Sequence, residues 1–165
     1  MTLKKQNQGF TIVELLIVIV VIGILAAIVL TTFRGVQETA RDQTRETDIQ
    51  SIHKQIEAYY AENTTYPTLD KLNELEDGGF VDTELAGLAI GALYAPGVDV
   101  PTAPAATDNP MVATASAALN AYGYEASSST SVDGSCDGDV TSVPCDEYTL
   151  TAPLENGDTY TQSEL

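Results

Sequence analysis

The chain opens on nine polar residues, Met1 to Gly9, and then changes character within one step. From Phe10 to Leu30 run twenty-one residues whose only charge is Glu14. At ~1.5 Å rise per residue a helix of that length reaches about 30 Å, the thickness of a bilayer's hydrocarbon core. Lys4 and Lys5 precede the run and the next basic residue is Arg34, a bias that keeps the N-terminus in the cytoplasm. Gly23 and Ala27 make a small-xxx-small step that lets helices approach closely.

The pattern then becomes amphipathic. Val36, Ala40, Ile49, Ile52, Ile56, Tyr59 and Tyr60 fall into helical spacing in their second half, and the helix should stop near Asn63, ahead of Tyr66-Pro67. Glu38, Arg41, Asp42, Arg45, Glu46, Asp48, Lys54 and Glu57 fill the remaining positions and read as a solvated face rather than an inter-subunit one. His53, the only histidine, sits beside Ile52 and Ile56 and reads as structural.

Further on, Leu69, Leu72 and Leu75 suggest a short amphipathic helix, followed by a Gly78-Gly79 turn. Pro96, Pro101, Pro104 and Pro110 make residues 96–110 a loop. Tyr122 to Ala126 reads as a strand, and Tyr148 to Leu154 and Thr159 to Thr161 flank Asn156-Gly157 as a hairpin, with Pro153 suited to an edge position. The expected fold is α+β: a long N-terminal helix laid on a small antiparallel sheet in a C-terminal head. Ser127 to Ser131 reads as a mobile loop before a glycan carrier, and Asn63-Thr64-Thr65 is formally a glycosylation acceptor.

Charge sharpens this picture. All seven Lys and Arg lie at or before Lys71, and sixteen Asp and Glu follow with no basic residue, so residues 72–165 carry a formal charge of −16. Nucleic-acid binding needs cations against phosphates, so direct binding by the head is disfavoured. A surface of one sign keeps an exported head soluble and attracts divalent cations. Cys136 and Cys145 are separated by eight residues in a Gly/Asp/Ser-rich stretch and, in an exported protein, suggest a disulfide. Asp133, Asp137 and Asp139 concentrate carboxylates in the same stretch; a solvated acidic loop is the plainer reading and a calcium site the alternative, because the spacing is not that of an EF-hand. No other cofactor is implied, and no nucleophile, histidine or basic residue forms a catalytic arrangement in the head.

An ordinary signal peptide is cut after its apolar run, whereas here that run continues into the amphipathic helix. A plain signal anchor keeps its helix but leaves Glu14 unexplained, since a carboxylate in an apolar span is a functional hypothesis by default. The stretch Gly9-Phe10-Thr-Ile-Val-Glu14-Leu-Leu-Ile-Val-Ile-Val-Val-Ile-Gly-Ile-Leu-Ala-Ala-Ile resembles the class III signal of type IV pilins and type II secretion pseudopilins. The likeness is close over residues 1–35 and looser along the helix to Tyr66-Pro67. It departs from many pilins in having Thr31-Thr32 where a Pro often precedes the end of the apolar segment.

The resemblance implies a pilin-like fold and a sequence of events. Residues 1–9 are a leader that a membrane prepilin peptidase removes after Gly9, commonly methylating the new amine of Phe10. Residues 10–33 are the membrane-spanning and later filament-core half of the helix, 34–63 its amphipathic half, and 64–165 a head with a disulfide-bounded loop at 136–145. Glu14 would pair with the Phe10 amine of a neighbouring copy as the chain forms a helical homopolymer with the assembly machinery. Some members also hold calcium in C-terminal loops. The subunit would sit in the cytoplasmic membrane before assembly and in a surface filament after it. A type IV pilus subunit is the leading expectation, a type II secretion pseudopilin the alternative, and a membrane-tethered binding module that never polymerises the third.

Overall fold

The computed structural model describes residues 10–103, 105, 108–139 and 141–164, with backbone alone for 30–32 and 34. Gly9, the leader lysines and Pro104 lie outside the described residues. The chain divides into two compact units, Met1–Glu38 and Thr39–Leu165.

A single helix, α1, runs Ile12–Asn63. Its first part is apolar on every side, and the window Ile12–Val29 has a mean hydropathy of 3.3 with none of it buried within the chain. It is long and apolar enough to cross a membrane. In the second unit the same helix buries Ile49, Ile52 and Ile56 completely. It ends where Thr64 takes a left-handed φ of 56° and donates its N–H to the Tyr60 carbonyl at 2.7 Å. That conformation stops a helix and is uncommon for a β-branched residue.

Two short helices follow, α2 (Leu69–Leu72) and α3 (Phe80–Glu84), on either side of the Gly78-Gly79 turn. The amphipathic helix expected around Leu69 is thus only one turn long. Leu72, Leu75, Phe80, Val81, Leu85 and Leu93 all enter the core.

The sheet has four strands in the order β1-β2-β3-β4: β1 Met111–Val112, β2 Tyr122–Ser127, β3 Glu147–Pro153 and β4 Thr159–Ser163. β2–β3 and β3–β4 pair antiparallel, but β1–β2 pair parallel, so the sheet is mixed rather than antiparallel as expected. β1 holds its place through Asn73, whose amide donates to the Met111 carbonyl at 3.1 Å and accepts the Met111 N–H at 3.2 Å. Pro153, expected on an edge strand, ends the central strand β3 opposite Thr159; a ring without an N–H is tolerated at a strand's last position. Along β3, Tyr148, Leu150 and Ala152 are buried while Thr149 and Thr151 alternate outward, the period of a sheet with one face on a core.

Candidate functional site

Within the first unit, α1 begins at a reciprocal cap. Thr11 donates both its N–H (2.8 Å) and its hydroxyl (2.7 Å) to one oxygen of Glu14, and the Glu14 N–H donates back to the Thr11 hydroxyl at 3.3 Å. This is the capping-box arrangement, with the carboxylate near the positive end of the helix. Sequence reasoning gave Glu14 its charge problem but missed this partner in its own chain, though Thr-Ile-Val-Glu at 11–14 carries the spacing. Phe10 is exposed beside it, and the side chains that follow on α1 are exposed as well, from Ile12 to Val29.

In the second unit Lys54 is exposed, but Arg41, Asp42, Arg45, Asp48 and Glu57 of α1 turn to partners in the head rather than to solvent. Arg45 is 2 % exposed. It donates to Asp42 at 2.9 Å, to Glu155 in the β3–β4 turn at 3.3 Å, and to the Leu119 carbonyl at 3.2 Å. Arg41 also holds Glu155, through Nε and through a second bond at 2.6 Å. The Glu155 N–H donates to Asp42 at 3.0 Å, closing the network. The Arg41 hydrogen bonds, helped by Arg45, hold the Glu155 carboxyl down at about 2.

A turn or two along α1, Tyr122 donates to Asp48 at 2.7 Å. Burial raises the Asp48 carboxyl, and the tyrosine's bond opposes that only in part. Glu57 accepts the Tyr148 hydroxyl at 2.8 Å and the Tyr66 hydroxyl more loosely. His53 meets the same Tyr148 oxygen, which is a structural role. Burial first, and the Glu57 carboxylate second, push the Tyr66 and Tyr148 hydroxyls far above their usual range. The expectation of a solvated charged face fails for Arg41, Asp42, Arg45, Asp48 and Glu57 because these side chains reach along the helix flanks to tyrosines and a hairpin far away in sequence.

Cys136 and Cys145 are bridged. Cys145 is fully buried, and its backbone is clasped by the residues just past α1: the Cys145 N–H donates to the Thr65 hydroxyl at 2.9 Å, and the Tyr66 N–H to the Cys145 carbonyl at 2.8 Å. Thr65 of the formal glycosylation acceptor is therefore occupied and buried. In the Ser127 to Ser131 run, Ser127 closes β2, Ser128 is buried, and the Ser129 N–H donates to Asp146 at 2.6 Å.

The three candidate calcium ligands each serve their own turn. Asp133 accepts from the hydroxyls of Ser131 (2.8 Å) and Ser135 (2.6 Å), and those bonds lower it to about 2. Asp137 accepts from Ser142 and from the Asp139 and Val143 amides; Asp139 accepts from Thr141. Among the described residues no group of three or more His, Cys, Asp or Glu side chains converges as a metal site, so the calcium grouping of Asp133, Asp137 and Asp139 is not assembled.

Comparison with known proteins places a motif likeness at the N-terminus. The family described as the prokaryotic N-terminal methylation motif matches residues 4–30. Type II secretion system core protein G of Dickeya chrysanthemi is 33 % identical over 69 residues, 42 % of this chain and 45 % of that protein. The Vibrio cholerae serotype O1 protein of the same name is 36 % identical over 67 residues, 41 % of this chain and 46 % of its own. That of Escherichia coli K12 is 34 % identical over 71 residues, 43 % and 49 % respectively. The chain thus spans just under half the length of the curated relatives it matches. No solved structure shows a significant match. The motif and these relatives make the chain similar to pilins and pseudopilins, and its long apolar helix and small α+β head are consistent with that likeness. The relatives are secretion-system core proteins, which favours the pseudopilin alternative over the pilus subunit.

Proposed function

We propose that the chain is a pseudopilin-type structural subunit, built into the filament of a type II secretion apparatus and carrying no catalytic site. What supports this best is the coincidence of the methylation motif at residues 4–30 with 33–36 % identity to core protein G. Three steps follow from that likeness. The apolar window Ile12–Val29 anchors the precursor in the cytoplasmic membrane with Lys4 and Lys5 inside. A prepilin peptidase cuts after Gly9 and methylates Phe10, removing both lysines and leaving one positive amine at the edge of the apolar phase. Copies then leave the bilayer sideways into a helical bundle in which Glu14 of one meets the Phe10 amine of the next. Each charge alone is costly in hydrocarbon, so a helix out of register is penalised and the pair acts mainly to set register.

The test is deletion of the gene followed by complementation. Proteins normally released to the medium should accumulate in the cells, and material sheared from complemented, overexpressing cells should begin at Phe10. Intact secretion together with loss of long surface fibres would move the chain to the type IV pilus reading. A chain that still begins at Met1 would leave a tethered module.

A further inference from the structure

The β3–β4 turn carries chemistry that the proposed assembly does not use. Asn156 is the only asparagine of the chain that is followed by glycine. Asn156, Gly157 and Asp158 are all exposed at the hairpin tip. The Asn156 side chain does not extend into solvent. Its Oδ1 accepts the Asp158 N–H at 2.8 Å and its Nδ2 donates to the Asp158 carboxylate at 2.8 Å, so the carboxamide lies folded forward across the Gly157 peptide. Gly157 takes φ 91°, and a Cβ there would meet nothing within 4 Å, so no side chain or neighbour shields its nitrogen. The Gly157 N–H donates to the Leu154 carbonyl at 3.1 Å, a turn bond at an exposed tip that local fraying opens.

That arrangement fits ring closure within the chain. The Gly157 nitrogen attacks Asn156 Cγ, the N–Cγ bond forms and the Cγ–Nδ2 bond breaks. The amide nitrogen leaves as ammonia, taking the proton that Gly157 gives up. Negative charge gathering on Oδ1 during the attack falls on an oxygen that already accepts the Asp158 N–H. Water then opens the cyclic imide. Opening at the side-chain carbonyl leaves aspartate at position 156; opening at the main-chain carbonyl leaves isoaspartate, whose backbone is one carbon longer. The other described asparagines are less suited. Pro110 after Asn109 has no N–H, Asn73 is held on Met111 by both ends of its amide, and Asn63 and Asn120 precede the bulkier Thr64 and Ala121.

The site adjoins the clamp between α1 and the hairpin. Glu155 accepts from Arg41 and Arg45, and the Leu154 N–H donates to the Asp158 carbonyl at 2.9 Å to close the turn. A carboxylate at 156 loses the donor to Asp158 and faces it as a like charge. An extra backbone carbon breaks the turn's register and draws Glu155 off both arginines. We propose that Asn156 is a site of spontaneous deamidation, and that its aspartate and isoaspartate products release Glu155 from Arg41 and Arg45. The reaction needs only water and time, so it proceeds in the single chain and in a filament alike.

The test incubates the full-length chain in detergent at mildly alkaline pH and follows it by peptide mapping with mass spectrometry. Isoaspartate is counted by methyl transfer from labelled S-adenosylmethionine with an isoaspartyl methyltransferase. The Asn156 peptide should convert at least tenfold faster than those of Asn63 and Asn120, and isoaspartate should appear in it. The melting temperature of the aged chain, read by near-ultraviolet circular dichroism, should fall in step with conversion. Asn156→Gln should keep its mass and its melting temperature through the same incubation. Glu155→Gln, which already lacks the clamp's charge, should convert as well but lose at least twofold less in melting temperature. An Asn156 that converts no faster than Asn63 or Asn120 overturns the site. Conversion without a fall in melting temperature, or an equal fall in Glu155→Gln, overturns the release of the clamp.

Discussion

Replacing Arg45 by methionine tests whether the charge network holds α1 to the hairpin, because it keeps most of the side chain's volume and removes its charge and donors. Arg45 is 2 % exposed and bonds Asp42, Glu155 and the Leu119 carbonyl at 2.9, 3.3 and 3.2 Å. Hydrogen bonds to charged groups contribute about 1.5–3 kcal/mol each. Against that, Arg45 Nε is buried without a partner, so the native state carries part of an uncompensated desolvation penalty that methionine relieves. The carboxylates left behind keep other donors: Arg41 for Glu155, and the Glu155 N–H for Asp42. Only the Leu119 carbonyl loses the donor found here. The balance is a loss of about 2–3 kcal/mol, or about 6–12 °C in melting temperature for a unit of this size. Near-ultraviolet circular dichroism of the full chain in detergent follows the head through its buried tyrosines. Arg41→Met is the control; its side chain is 39 % exposed, and it should shift melting by a few degrees at most. An Arg45→Met variant melting within 2 °C of the native chain would refute the network's role.

Further outcomes are expected. Glu155 has its carboxyl lowered from 4.5 to about 2 in the folded state, so its contribution is present above the ordinary value and is lost as pH falls through about 2; Glu155→Gln should flatten the fall of melting temperature across that window. Asp48 is raised by burial and has the opposite sign, so Asp48→Asn should steepen the fall. At Gly123 a Cβ would lie 2.8 Å from the Thr114 Cα and 2.9 Å from the Ala117 Cβ, so Gly123→Ala should destabilise the head by about 1–3 kcal/mol in denaturant titration. Reducing the Cys136–Cys145 bridge should cost about 2–3 kcal/mol by chain entropy and lower the melting temperature accordingly.

The parts of the fold that local chemistry dictates could be read from the chain. Asn156-Gly157 announces the β3–β4 hairpin because a turn there needs a left-handed residue, and Gly157 takes φ 91°. Ile49, Ile52 and Ile56 announce the buried side of α1 because apolar side chains at that spacing must share a face. What stayed hidden depended on distant partners. Arg45 looks like any solvated helix charge until Glu155, 110 residues away, is brought over it. The parallel β1–β2 pairing could not be foreseen from two residues whose position is fixed by the amide of Asn73, 38 residues earlier. Asp133, Asp137 and Asp139 have the composition of a cation loop, but their oxygens accept hydrogen bonds from nearby Ser and Thr hydroxyls and backbone amides, which composition alone does not reveal.

The Thr11–Glu14 cap changes how the assembly role of Glu14 should be tested. In the single chain its carboxylate already accepts two hydrogen bonds from Thr11, so its burial is partly offset before any neighbour arrives. The proposed pairing with a neighbouring Phe10 amine would therefore contribute only the difference between the two environments, and replacing Glu14 by an apolar residue removes the cap and the charge at once. Glu14→Gln separates them, since its carbonyl oxygen still accepts from Thr11 while the charge is gone. The expected result is normal membrane insertion and cleavage with filament yield reduced to the level of Glu14→Leu. If Glu14→Gln assembles as the native chain does while Glu14→Leu fails, the residue acts through the cap alone and the charge pairing is refuted.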